Sequence, residues 1–262
     1  MKRGSIGVAV PRPPFLAVWA RNLRVWRRFA IPSLLGNFGE PLLYLLGLGY
    51  GLGRFISGMS EIPYLVYLAS GILCATAMNT ASYEGLYAAF TRMTRQDTYG
   101  AMLATPLRVE EVVAGEVAWC ATKSLISGTT LFVVALFLGA VPPEPEILAA
   151  LPVVFLIGLV FGALAMVVTS LAPSYDFFLY YFTIFITPMF MFSGVFYPID
   201  TLPGWLRTGM QFLPLVHGVE LVRPMLTGAM PREVPLHLGV LVLYLFGAYQ
   251  VAVAQLRRRL LV

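Results

Sequence analysis

The sequence predicts an all-α polytopic membrane protein with six transmembrane helices, an N-terminal amphipathic interfacial helix, and a re-entrant or interfacial helical hairpin between spans five and six. Three observations predict it. The 262 residues are 58% apolar and only 12% charged, whereas a soluble domain is nearer half apolar and a quarter charged. Apolar runs recur at lengths that match a hydrocarbon core about 30 Å thick. The cations are also unevenly placed: 13 of the 18 Lys and Arg fall in residues 1–29, 84–111 and the C-terminal tail. The positive-inside rule puts these segments, and with them both termini, on the cytoplasmic side of the membrane.

The elements follow in order. Residues 1–29 make a cytoplasmic N-terminus. Within it Arg21, Arg24, Arg27 and Arg28 share about a 120° arc at 100° per residue, opposite Phe15, Val18, Trp19, Leu23, Trp26 and Phe29. Such two-sidedness predicts a helix lying in the membrane interface. No secretory signal is expected, because the apolar patch at residues 6–10 is too short and Pro11, Pro13 and Pro14 follow it. The first span must then act as the insertion signal.

The membrane domain, residues 30–256, is predicted to contain spans at 31–53, 63–83, 112–138, 147–171, 177–196 and 236–255. Residues 91–111 form a polar cytoplasmic loop, and residues 257–262 a basic cytoplasmic tail. Residues 197–235 hold two apolar pieces of 12 residues, broken by Pro203, Pro214 and Pro224. Each covers roughly 18 Å as helix, too little to cross. A hairpin that dips into the membrane fits them.

Chemistry is mostly absent. The two lysines, Lys2 and Lys123, have no glycine-rich cradle around them, so this chain holds no nucleotide site. H-E-x-x-H and G-x-S-x-G are missing, and no catalytic residue or cofactor is expected. Cys74 and Cys120 lie in apolar runs and read as buried free thiols. The basic balance, net +5, reflects topology rather than nucleic-acid binding. His217 and Glu220 stand three residues apart; a hydrogen-bonded pair is favoured over a shared metal.

Ionisable groups at membrane depth mark function. Glu40 and Lys123 each sit about ten residues into a span, roughly 15 Å deep, at one level for an ion pair; Glu84 follows at the end of span two. A proton- or ion-coupled carrier could use such groups, although the inverted repeats of that class are not visible. Span two is rich in small and hydroxyl residues, which suit tight packing or a polar pore lining. Span five is dense in aromatics, facing lipid, neighbours or an amphiphilic substrate.

Two separated blocks carry a family resemblance. YEGLYAAFTRM at 83–93, QDTYGAMLATPLR at 96–108 and EEVVAGE at 110–116 resemble the cytoplasmic loop of type-2 ABC exporter permeases. Within that family the likeness is to the NodJ-type permeases of nodulation lipo-oligosaccharide export. FSGVFYP at 192–198, Leu202-Pro203 and LPLVHGVELVR at 213–223 resemble the second signature of the same family. The resemblance implies a permease subunit exporting an amphiphile such as a lipo-oligosaccharide, lipid-linked glycan or drug. ATP and Mg would be bound by a partner ABC ATPase, two copies of which would serve a permease homodimer in the membrane lipid. It also implies a coupling helix at residues 98–108, with Tyr99, Thr105, Pro106, Leu107, Arg108 and Glu110 as coupling residues. The external hairpin would cap the pathway through Pro198, Pro214, His217, Glu220 and Arg223. A secondary ion-coupled transporter and a non-transporting assembly factor are the competing readings.

Overall fold

The computed structural model describes residues 13–55, 62–141 and 145–261. Among these the chain is helical throughout, with no strand. Among the described residues four helices are long and apolar enough to cross a membrane: Tyr64–Thr94, Val109–Phe137, Ile147–Leu171 and Val234–Leu261. Two shorter apolar helices, Pro41–Gly51 and Phe177–Phe192, fall where the first and fifth spans were expected.

The centre is built from α3 (Tyr64–Tyr83), α6 (Val109–Phe137) and α7 (Ala150–Leu171), which pack on one another. Every residue of α3 from 67 to 78 is buried. A helix apolar all round belongs in the middle of a bundle, and the small residues that the sequence concentrates there let its neighbours approach. The α6–α7 contact is closest at Gly158 and Gly162. A Cβ on the first would lie 2.8 Å from the Ala121 Cα, and on the second 2.7 Å from the Cys120 Cβ. This is the small-xxx-small seam of membrane helix pairs. Both cysteines are free and fully buried, as expected.

The remaining elements wrap this centre. Helix α1 (Phe15–Trp26) lies across α6 with Val18 and Asn22 buried, and Trp19 donates its Nε1–H to the Thr122 hydroxyl at 2.9 Å. A 3₁₀ turn at Arg27–Phe29 leads straight into α2 (Ala30–Tyr44). Helix α2 continues through a wide π-helical stretch, Leu45–Gly51. Similar π stretches join α3 to α4 (Ala89–Thr94) at Glu84–Ala88, and α8 (Phe177–Tyr181) to α9 (Thr187–Phe192) at Phe182–Ile186. These insertions and Pro41 divide the apolar runs that read as uniform spans in the sequence.

Between α4 and α6 stands a short helix, α5 (Thr98–Leu103). After α9 come α10 (Gly204–Met210) and α11 (Pro214–Leu226), begun by Pro203 and Pro214. Pro224 does not end α11; it sits in the last turn, where the Thr227 N–H still reaches the Arg223 and Pro224 carbonyls. Helix α12 (Val234–Leu261) packs along α7 and α11. Arg259 in its last turns donates to the carbonyls of Thr169, Ser170 and Ala172, at 3.1, 3.0 and 2.8 Å, capping the C-terminal end of α7.

Candidate functional site

The most concentrated chemistry in the described residues is a buried charge network where α3, α4 and α6 meet. Arg92 of α4 grips Glu116 of α6 with two parallel bonds, Nε to Oε1 at 3.0 Å and Nη2 to Oε2 at 2.6 Å. Its third contact is Nη1 to Glu84 Oε1 at 2.9 Å. The other Glu84 oxygen accepts from Lys123 Nζ at 3.0 Å, and Trp119 Nε1–H donates to Oε1 at 2.9 Å. Two carboxylates thus face two cations, and every group is at most 16% exposed. A bidentate guanidinium supplies the geometry that makes burial of such charges tolerable.

The network touches two compartments. Lys123 lines a cavity of ≈ 300 Å³ with Gly36, Pro41, Tyr44, Asn79 and Phe190. In the segment between α4 and α6, Tyr99, the second residue of α5, is fully buried behind Glu116. Burial first, and then the Glu116 charge, holds its phenol well above the ordinary value of 10.0. It stays protonated. Arg21 of α1 reaches Thr98 at the start of α5 at 3.4 Å; burial and then Arg92 lower its pKa. Helix α5 is therefore held from behind by α1 and the network. Asp97 ahead of it takes a left-handed backbone, φ 47°.

The expected coupling residues separate by exposure. Thr105, Pro106 and Arg108 are exposed, and Leu107 is half-buried. The Thr105 hydroxyl closes on the Met102 carbonyl at 2.6 Å, and the Arg108 N–H on Glu111 Oε2 at 2.8 Å, which starts α6. Tyr99 faces inward, so it anchors the element rather than presenting a surface. Glu110 is taken by Arg257 of α12, and its carbonyl accepts from Tyr249 at 2.9 Å.

Of the intramembrane charges, Lys123 closes on Glu84. The expected Lys123–Glu40 pair involves a Glu40 side chain outside the described residues; its backbone lies in α2. Arg92, Glu116 and Trp119 were not singled out from the sequence. The available signal was spacing: 116 and 123 lie two turns apart on one helix face.

At the other end of the molecule, Arg223 turns inward. It donates to the Gly194 carbonyl at 2.6 Å and the Ser70 hydroxyl at 3.1 Å, and its guanidinium lies 3.6 Å from the Tyr67 ring centre. Pro198 accepts from the Thr201 hydroxyl at 2.7 Å, and Pro214 is buried at the start of α11. The expected His217–Glu220 pair is not made, because both ring nitrogens are used elsewhere. Nδ1 meets Nδ1 of His237 from α12 at 2.8 Å, and Nε2 meets the Gln211 carbonyl at 2.8 Å. The described residues contain no group of three or more His, Cys, Asp or Glu placed to hold a metal.

The family profile described as ABC-2 type transporter matches residues 14–226. The chain belongs to the ABC-2 type transporter family. Nodulation protein J of Rhizobium leguminosarum bv. viciae is 45% identical over 247 residues, covering 94% of this chain and 95% of the relative. Nodulation protein J of Rhizobium meliloti (strain 1021) is 42% identical over 94% of each chain. An inner membrane transport permease, YadH of Escherichia coli (strain K12), is 22% identical over 92% of this chain and 94% of its own. This ABC-2 chain is thus a multi-pass membrane permease of an ABC exporter, a transport subunit rather than a catalytic one.

Proposed function

We propose that the permease works as a homodimer driven by two copies of a separate ABC ATPase, with both termini cytoplasmic and six spans. It would move an amphiphile, of the lipo-oligosaccharide, lipid-linked glycan or drug class, out of the cytoplasm or inner leaflet. The observation that carries the coupling reading is the two-sidedness of residues 98–108: an exposed rim of Thr105, Pro106 and Arg108, with Tyr99 and the charge network immediately behind. A force applied to that rim is delivered to α3, α4 and α6 together, and through Lys123 to the membrane cavity.

The six-span reading is supported by helix continuity. Backbone from Ala30 to Gly51 is helical without a break, about 33 Å of rise. The exposed apolar side chains of this segment and of Phe177–Phe192, among them Leu43, Leu46, Leu179, Tyr180, Ile184 and Phe185, suit lipid or a second copy. Nothing favours an ion-coupled carrier, since the Lys123 ammonium is closed on Glu84.

Replacing residues 105–108 by Ala-Gly-Ala-Ala should abolish co-purification of the partner ABC ATPase with the permease, while membrane insertion and dimer yield stay unchanged. Reconstituted permease that moves substrate down an ion gradient with no ATPase present would overturn the reading.

A further inference from the structure

A second cavity, unconnected with the charge network, runs between α10, α11 and α12 and has a volume of ≈ 1520 Å³. That exceeds the roughly 300–1,000 Å³ of sites for drug-sized ligands. Its walls change character along their length. From Glu233, the residue before α12, to Val251 the wall covers 19 residues, about 27 Å of rise over 18 steps, more than the roughly 15 Å of one leaflet's hydrocarbon. The deep part is apolar, lined by Leu164 and Val167 of α7 and by Leu243, Gly247, Ala248 and Val251 of α12. Leu243 is 71% exposed, so the groove opens sideways toward the bilayer.

The mouth carries both signs of charge. Asp200 and Arg207 are closed on each other at 2.8 Å, and Arg223 is turned into the protein. Among the described residues, Glu220, Glu233 and Arg232 enter no ion pair. Glu233 also holds a left-handed backbone, φ 48°, a conformation that a non-glycine residue keeps only under constraint.

The histidine pair adds a defined acceptor. His217 is 5% exposed. Its Nε2 faces a carbonyl, so that nitrogen carries the proton. In the neutral pair Nδ1 of His217 is then the acceptor, and His237 donates from its own Nδ1. The His237 Nε2 is left as a bare lone pair at a residue that lines the groove. The mouth therefore offers three acceptors, Glu220, Glu233 and His237 Nε2, beside one free guanidinium, Arg232.

We propose that this groove binds a diacyl phospholipid of the outer leaflet with a primary-ammonium headgroup, a phosphatidylethanolamine. Its ammonium has three N–H donors for the three acceptors, and its phosphate suits Arg232. Its chains follow the apolar wall of α12. A quaternary choline headgroup has no N–H to donate. An anionic glycerol headgroup lacks the positive charge that two carboxylates demand. The outer-leaflet assignment rests on the proposed topology; the headgroup and the groove do not.

Native mass spectrometry of the full-length, delipidated chain tests this, with phosphatidylethanolamine, phosphatidylcholine and phosphatidylglycerol of identical chains as probes. One phosphatidylethanolamine per chain should be retained about tenfold better than either rival, the scale of one charge-assisted hydrogen bond. A Cβ on Gly247 meets nothing within 4 Å, so Gly247→Phe fills the groove without displacing backbone and should cut retention about tenfold; Val251→Phe is the second filling variant. Glu220→Gln with His237→Gln should erase the preference for phosphatidylethanolamine while leaving chain binding. Equal retention of the three lipids overturns the headgroup assignment, and retention untouched by either filling variant overturns the groove. Both outcomes are independent of ATPase association, so they leave the exporter reading standing.

Discussion

Arg92 is the residue on which the buried network turns, because it alone touches both carboxylates. Removing one partner of a buried pair leaves an uncompensated charge and costs about 3–5 kcal/mol, whereas losing one of several donors costs about 1.5–3 kcal/mol. Arg92→Met should therefore lower the melting temperature in detergent far more than Lys123→Met, which leaves Glu84 bonded to Arg92 and Trp119. Adding Glu116→Gln to Arg92→Met should recover part of the loss. An Arg92→Met chain that melts like the parent would show that the network contributes little. Little of this site was legible in the sequence. Glu84 and Lys123 stood out as charges at membrane depth, but Lys123 was matched by depth alone to Glu40. Depth fixes one coordinate of a side chain; which helices are neighbours fixes the other two, and no sequence period reports that. His237 illustrates the same limit, since only the packing of α12 on α11 brings it to His217.

At the scale of elements, the seam between α6 and α7 is set by two missing side chains. Gly158→Leu should place its Cβ against the Ala121 backbone at 2.8 Å and strongly lower the yield of folded protein by size-exclusion chromatography. Gly239→Ala, in open space, should instead stabilise α12 by up to about 1 kcal/mol through helix propensity. Equal behaviour of the two variants would mean that the seam is loose. Elements of this kind were readable where length and composition decide them. The amphipathic start follows from its two-sided arginine pattern, and the spans expected at 63–83, 112–138, 147–171 and 236–255 and the short helices begun by Pro203 and Pro214 follow from apolar run length and proline placement; the continuation of the second helix to Thr94, into what reads as a polar loop, does not. The π stretches were not readable, because an added residue in a turn leaves an apolar run apolar.

For the whole molecule, orientation is the property that the export reading depends on. Cys74 and Cys120 are fully buried, so the parent should stay unlabelled by a membrane-impermeant maleimide, and single added cysteines can report sidedness without a cysteine-free background. Ala104→Cys should label only in inverted vesicles, and Met230→Cys only in right-side-out cells. Labelling of both from the same side would reject the topology. The π stretch at Glu84–Ala88 has a further consequence, in terms of angular phase. Glu84 and Arg92 are eight residues apart, which in an unbroken α-helix leaves them about 80° out of line. One residue absorbed in a wide turn reduces that to about 20°. The bulge thus works as a phase corrector: deleting Ala88 would leave seven α-helical steps between the two, still about 20° out of line, so the Arg92–Glu84 pair should survive it, whereas inserting one alanine after Ala88 should swing Arg92 about 100° away without removing a single charge.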